Sequence, residues 1–211
     1  MSAMATTAAP ARAQHGARDF LIAGVLMLAL IVAAPWFAYP FFVMQMLCIA
    51  LFACAFNLLI GYVGLLSFGH AMFFGMASYV CAHAAKVWSL DPVLAILIGV
   101  IVAAAMGFVS GALAIRSKGI YFAMITVALS QMVYFFCVEA PFTHGEDGIQ
   151  SVPQGHALGL IDLSKTGQLY GFVAVVFLIG FFFVYRTVNS PFGEILKAIR
   201  ENEPRAVSLG Y

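Results

Sequence analysis

Four neutral polar side chains stand out because charge is absent around them: Thr126, Ser130 and Tyr134 recur at i, i+4 and i+8, and Gln131 flanks that stripe. Residues at this spacing share one face of a helix. Their hydroxyl and amide groups offer hydrogen-bond donors and acceptors without charge. A polar stripe turned toward hydrocarbon is costly, so it faces either neighbouring helices or a water-filled path. Asn57 and Gln45 are further polar candidates for such a path, while Glu139 ends the Thr126 segment and reads as interfacial.

Other reactive residues point away from catalysis. Cys48, Cys54, Cys81 and Cys137 form no close pair in an apolar setting and read as small buried hydrophobes, not as disulfides or a metal site. His70 and His83 lie 13 positions apart without a carboxylate to complete a metal set, so packing or hydrogen bonding is expected of them. No nucleophile is paired with a base, no metal or other cofactor is expected, and an enzyme is disfavoured. No glycine-rich loop ends in Gly-Lys-Ser or Gly-Lys-Thr, so nothing cradles nucleotide phosphates as a P-loop does. The run Thr143-His144-Gly145-Glu146-Asp147-Gly148 reads as a mobile turn, either a solvated loop or a docking surface, with too few oxygen ligands for calcium.

The elements that position these groups follow from the distribution of charge. The chain of 211 residues is 64% hydrophobic and 9% charged, against about 25% charged in ordinary soluble domains, and its mean hydropathy is +1.01. Residues 20–85 hold no Asp, Glu, Lys or Arg, and neither do 92–115, 119–138 and 166–185. Each run meets the roughly 20 residues needed to cross ~30 Å of hydrocarbon. The fold class is therefore all-α, a polytopic transmembrane helix bundle. The runs are apolar on both parities, unlike the alternation of an outer-membrane barrel. Pro35, Tyr39-Pro40 and Gly61-Tyr62-Val63-Gly64 divide the longest run. About six spans are expected, over 20–38, 41–60, 66–85, 92–115, 119–138 and 168–186.

Orientation follows from Lys and Arg, which are retained on the cytoplasmic side of short loops. With a cytoplasmic N-terminus, Arg12, Arg18, Arg116, Lys118, Arg186, Lys197, Arg200 and Arg205 lie inside, and Lys86 and Lys165 outside. The net charge of +1 thus hides a polarity across the membrane, and no basic patch suggests nucleic acid. Residues 1–18 read as a cytoplasmic tail, 19–188 as the membrane bundle with an external loop at 139–167, and 189–211 as a cytoplasmic segment. An uncleaved first helix is favoured over a signal peptide, because the apolar stretch Phe20 to Phe37 is long and lacks a clean cleavage site.

Two further patterns concern contacts. Gly99, Ala103, Gly107 and Gly111 recur every four residues, a helix-packing face that admits another backbone. Ser67, Ala71 and Gly75 repeat this more weakly. Beyond the last span, Ser190 suits an N-cap and Pro191 the first helical position. Phe192, Ile195, Leu196 and Ile199 then form an apolar stripe, with Glu194, Lys197, Arg200 and Glu201 around it. This amphipathic helix either lies on the inner membrane surface, against lipid, or enters a groove on a cytoplasmic partner. Pro204 ends it and starts a second helix through Arg205 to Leu209.

Three segments in order, Gly64 to Gly75, Arg116 to Thr126 and Ser190 to Tyr211, resemble the permease family of branched-chain amino-acid ABC importers, LivM-type, from about residue 41 onward. His144 stands where a glycine is more usual in that family's external segment. The resemblance implies a bacterial inner-membrane importer with a second, LivH-like permease subunit, two cytoplasmic ATPase subunits and a periplasmic substrate-binding protein. It also implies that Glu203 to Gly210 is similar to the loop that docks into the ATPase, with Ala206 and Gly210 fitting and Pro204 and Arg205 departing from the pattern. Ile199, Arg200, Glu201, Ala206 and Gly210 are the expected coupling residues, and Asn57, Thr126, Ser130 and Gln131 the expected lining of the substrate path. The helix Ser190 to Glu203 is expected to act as a rigid lever that tilts the last span. Alternatives are an importer of urea or short-chain amides and, from another class, a stand-alone secondary carrier or channel. Family members continue past this loop with further helices, so the chain is also expected to be truncated at Tyr211.

Overall fold

The computed structural model describes residues 12–117, 119–153, 155–157 and 161–208. The chain falls into two compact units, Met1–Val43 and Met44–Tyr211. The first contains α1 (Arg12–Phe37) and the beginning of α2 (Pro40–Asn57). The Tyr39-Pro40 junction separates these helices, as expected from the restriction proline places on the residue before it.

In the second unit α2 continues without interruption into a π-helical turn, Leu58–Val63. Gly64 closes this turn in the left-handed conformation, at φ 78°, and its N–H bonds to the Leu59 carbonyl at 3.0 Å. A residue with a side chain would be strained at that φ. The chain is then non-helical until α3 (His70–Lys86). Next come α4 (Pro92–Ala114), α5 (Ile120–Glu139), two short 3-10 turns, the two-residue strands β1 (His156–Ala157) and β2 (Ile161–Asp162), α6 (Thr166–Val188), α7 (Pro191–Glu201) and α8 (Glu203–Ser208).

Among the described residues, four helical stretches are long and apolar enough to cross a membrane: Pro40–Val63, Pro92–Ala114, Ile120–Glu139 and Thr166–Val188. The expected six would also need α1 and α3. α1 runs for 26 residues, and its stretch Gly24–Phe37 is apolar. In α3, 17 residues remain because the break after Gly64 removes the first turn of the expected span. At 1.5 Å per residue it reaches only about 25 Å.

The tightest packing joins α3 to α4. Ala84, Ala85 and Ala95 form a buried cluster with Cys81 and Leu90 against it. Small side chains let the two backbones approach. Many large apolar side chains along α4, α5 and α6, such as Ile101, Phe108, Phe135 and Phe183, are exposed on the isolated chain. A soluble protein rarely exposes so much apolar surface, so these faces suit lipid or another membrane subunit. The cysteines correct one expectation: Cys137 is buried, but Cys54 and Cys81 are half-buried, and Cys48 is exposed because it lines an open cavity between α2, α3, α4 and α6.

The connection between α5 and α6 is also more ordered than its glycines suggest. Thr143 is fully buried, and its hydroxyl donates to the carbonyls of Ala140 at 2.6 Å and Cys137 at 2.5 Å, closing the end of α5. His83 Nδ1 lies 3.2 Å from the Phe142 carbonyl, and Lys86 Nζ donates to the Gln150 carbonyl at 2.9 Å, so α3 holds the same connection. β1 and β2 pair antiparallel, His156 opposite Asp162. The Ser164 N–H donates to Asp162, and chiefly this bond holds the Asp162 carboxyl below its usual range.

Candidate functional site

The polar stripe on α5 serves two different cavities. Thr126 is buried, and its hydroxyl donates to the Ala123 carbonyl at 2.8 Å while accepting the Phe68 N–H at 3.2 Å. It thereby supplies the acceptor that Phe68 lacks where the helix is broken. Ser67 does the same within the break, accepting the Gly69 N–H at 3.2 Å. These bonds hold residues 64–69 as an irregular strand against α5. They bound a cavity of about 280 Å³ between the break, the start of α3, α4 and α5. Leu59, Leu65, Phe73 and Phe122 provide apolar walls, and Ser67, His70, Ser110 and Thr126 the polar atoms.

His70, first residue of α3, is surrounded edge-on by Phe52, Phe56 and Phe73 at ring distances of 6.4, 5.2 and 6.2 Å. Its Nδ1 is buried and makes no hydrogen bond of good geometry; the Ser67 backbone is the polar group beside it. His70 thus packs against aromatic rings, one of the two roles expected of it. Ser110 on α4 donates to the Met106 carbonyl at 2.7 Å.

One turn further along α5, Ser130, Gln131 and Tyr134 line a separate cleft of about 290 Å³ with Gly75 and Tyr79 of α3. Met72 lines both spaces and stands between them. Asn57 is exposed at the end of α2, its amide lying over Gly61, where an added Cβ would meet Asn57 Oδ1 at 2.9 Å.

The small-residue row of α4 is likewise divided. Gly99 is buried, and a Cβ there would come within 2.9 Å of the Ala77 carbonyl of α3. Ala103 is half-buried. Gly107 and Gly111 meet nothing within 4 Å and instead line the cavity at the break.

At the other site, α6 turns sharply into α7. Ser190 stands at the N-cap and Pro191 follows as expected, but the Ser190 hydroxyl donates back to the Thr187 carbonyl at 2.7 Å instead of accepting a helical N–H. Gly193 is buried against the elbow, where a Cβ would meet the Thr187 carbonyl at 2.8 Å and clash with that of Val188. Arg200 is exposed, and its guanidinium donates to the Gly61 carbonyl in the π-helical turn. Lys197 Nζ sits 5.1 Å from the centroid of the Tyr62 ring. Ile199 is half-buried, Glu201 exposed and Ala206 buried. Gly210 lies outside the described residues.

An apolar helical protein with a broken helix beside a mixed polar and apolar cavity is built as a membrane transport component. The family described as "Branched-chain amino acid transport system / permease component" matches residues 38–211, and the chain belongs to it. It is similar to the high-affinity branched-chain amino acid transport system permease protein LivM of Escherichia coli strain K12, 26% identical over 73% of this chain and 42% of that protein. It is also similar to the protein of that name from Salmonella typhimurium, 25% identical over 88% and 50%. A probable branched-chain amino acid transport permease protein LivM of Methanocaldococcus jannaschii is 28% identical over 54% and 34%. These matches span between about a third and a half of the relatives' own lengths. No solved structure matches significantly.

Proposed function

We propose that the chain is a permease subunit of a bacterial ABC importer that carries branched-chain amino acids across the inner membrane, driven by ATP hydrolysis on partner subunits. The observation that carries this reading is the family match over residues 38–211. The cavity at the break supports it: a zwitterion with a branched aliphatic side chain needs apolar walls together with uncharged donors and acceptors, which Leu59, Leu65, Phe73, Ser67, Ser110 and Thr126 provide. Backbone dipoles at a broken helix can meet charged substrate ends without an ionised side chain. Thr126 belongs to this binding space, and Ser130 and Gln131 to the next compartment along α5, with Asn57 nearer the π-helical turn. The first and third apolar segments complete six crossings, and the N-terminus is cytoplasmic.

The partners are a LivH-like permease, two cytoplasmic ATPase subunits and a periplasmic binding protein, with lipid around the exposed apolar faces. The segment 189–211 meets the ATPase, through Ile199, Glu201, Ala206 and Gly210. Affinity purification from membranes should bring down a second permease and ATPases. Reconstituted with the binding protein, the assembly should take up leucine, isoleucine and valine only with ATP. Uptake by the chain alone would establish a carrier instead, and ATPase stimulation by urea or amides but not by leucine would redirect the substrate.

A further inference from the structure

We infer that Arg200 and Lys197 are positioning residues that transmit movement of α7 to the helix break at residues 64–69, through the π-helical turn Leu58–Val63. The inference rests on the importer reading, in which α7 faces the ATPase.

The two cations are one helical turn apart and therefore share a face of α7. Both engage the membrane bundle. Arg200 donates to the Gly61 carbonyl, and its stem covers Gly64, where an added Cβ would meet Arg200 Cγ at 2.9 Å. Lys197 stands over the Tyr62 ring. A guanidinium can pair with a carbonyl while its methylenes pack. A π-helical turn is rare and occurs mostly as a single turn within an α-helix, frequently at functional sites. Here groups from α7 contact it.

Both ends of α7 are thereby tied. At its start, the Gly193 elbow leaves no room for slippage against α6. At its end, the cations grip the turn that leads through Gly64 into the break, and Thr126 holds the far side of the break through Phe68. Contacts thus run continuously from α6 to α7, to the π-helical turn and to the cavity wall. Withdrawal of α7 releases the turn, which rewinds as α-helix and rotates Leu65 and Ser67 relative to α5. Beyond the expected tilt of the last span, this second output of α7 acts directly on the cavity.

The test uses the full chain assembled with its partners in proteoliposomes and compares wild type with Arg200→Ala, Lys197→Met and the double variant. Arg200→Lys serves as the conservative version and Glu194→Gln as a control on another part of α7. Amide hydrogen exchange over residues 58–69 should speed up roughly fivefold in the double variant, as expected on losing one exposed hydrogen bond of ordinary net strength, and stay unchanged in α4. Substrate moved per ATP hydrolysed should fall about threefold or more, within the usual range for coupling residues. Arg200→Lys should recover part of both. Unchanged exchange, or a proportional loss of uptake and hydrolysis that leaves their ratio intact, overturns the inference. A wild-type assembly without ATP-dependent uptake overturns the importer reading instead, while the exchange measurement still decides whether α7 holds the π-helical turn.

Discussion

The two ends of the α3–α4 pair carry the same kind of residue and do opposite things with it. Near Lys86, Ala84, Ala85 and Ala95 are buried together and Gly99 rests on the α3 backbone at Ala77. Toward His70, Gly107 and Gly111 continue the four-residue row, but a Cβ on either would meet nothing, and a cavity of about 280 Å³ takes the place of a packed helix. The difference comes from the break. Helix α3 begins only at His70, so the turn that would have filled the far half of the groove is replaced by the irregular segment 64–69. A small residue permits close approach; whether a backbone arrives to use it depends on the neighbouring element.

Substitutions can break or sharpen this contrast. The largest effect is expected at the closed end. Gly99→Ala places a methyl 2.9 Å from a backbone carbonyl, and the forced shift of α3 should cost about 1–3 kcal/mol, read as a lower melting temperature of the purified protein. At the boundary, Thr126→Val keeps the shape and removes the hydroxyl that accepts the Phe68 N–H. A loss of about 1–2 kcal/mol is expected, with faster amide exchange at Phe68, and Thr126→Ser should restore most of it. The smallest change is expected at the open end, with reversed sign. Gly111→Ala meets no atom and should stabilise α4 by roughly 0.5–1 kcal/mol, because alanine favours a helix interior over glycine. Equal destabilisation by Gly99→Ala and Gly111→Ala would erase the distinction between the two ends.

Much of the architecture is legible in the sequence. Helices α4, α5 and α6 fall within a few residues of the charge-free runs, and α7 matches the amphipathic segment after Ser190. Gly61-Tyr62-Val63-Gly64 was recognisable as the end of α2, because a left-handed Gly64 is a common helix terminus. The break itself was hidden. Leu65, Leu66, Phe68 and the residues after His70 form one apolar run, and hydropathy does not distinguish a helix from an irregular segment buried against a neighbour. The α5 stripe was legible as polar, but its division between two cavities depends on where Met72 of α3 stands. Arg200 reads as a surface charge on any helical wheel, and it is exposed, but its bond to the Gly61 carbonyl becomes visible only when the π-helical turn lies beside it.

The sequence by itself determined that the chain is a set of apolar helices with an amphipathic appendage, because hydrocarbon obliges each crossing segment to satisfy its own backbone hydrogen bonds. Prolines, glycines and charges mark where that obligation ends. Only the tertiary structure decided where the exceptions are tolerated. The Phe68 amide finds its acceptor 58 residues away on Thr126, and the Gly61 carbonyl finds its donor 139 residues away on Arg200. Such pairings satisfy a broken helix from outside itself, and a partner that is local in space and remote in sequence leaves no trace in periodicity or composition.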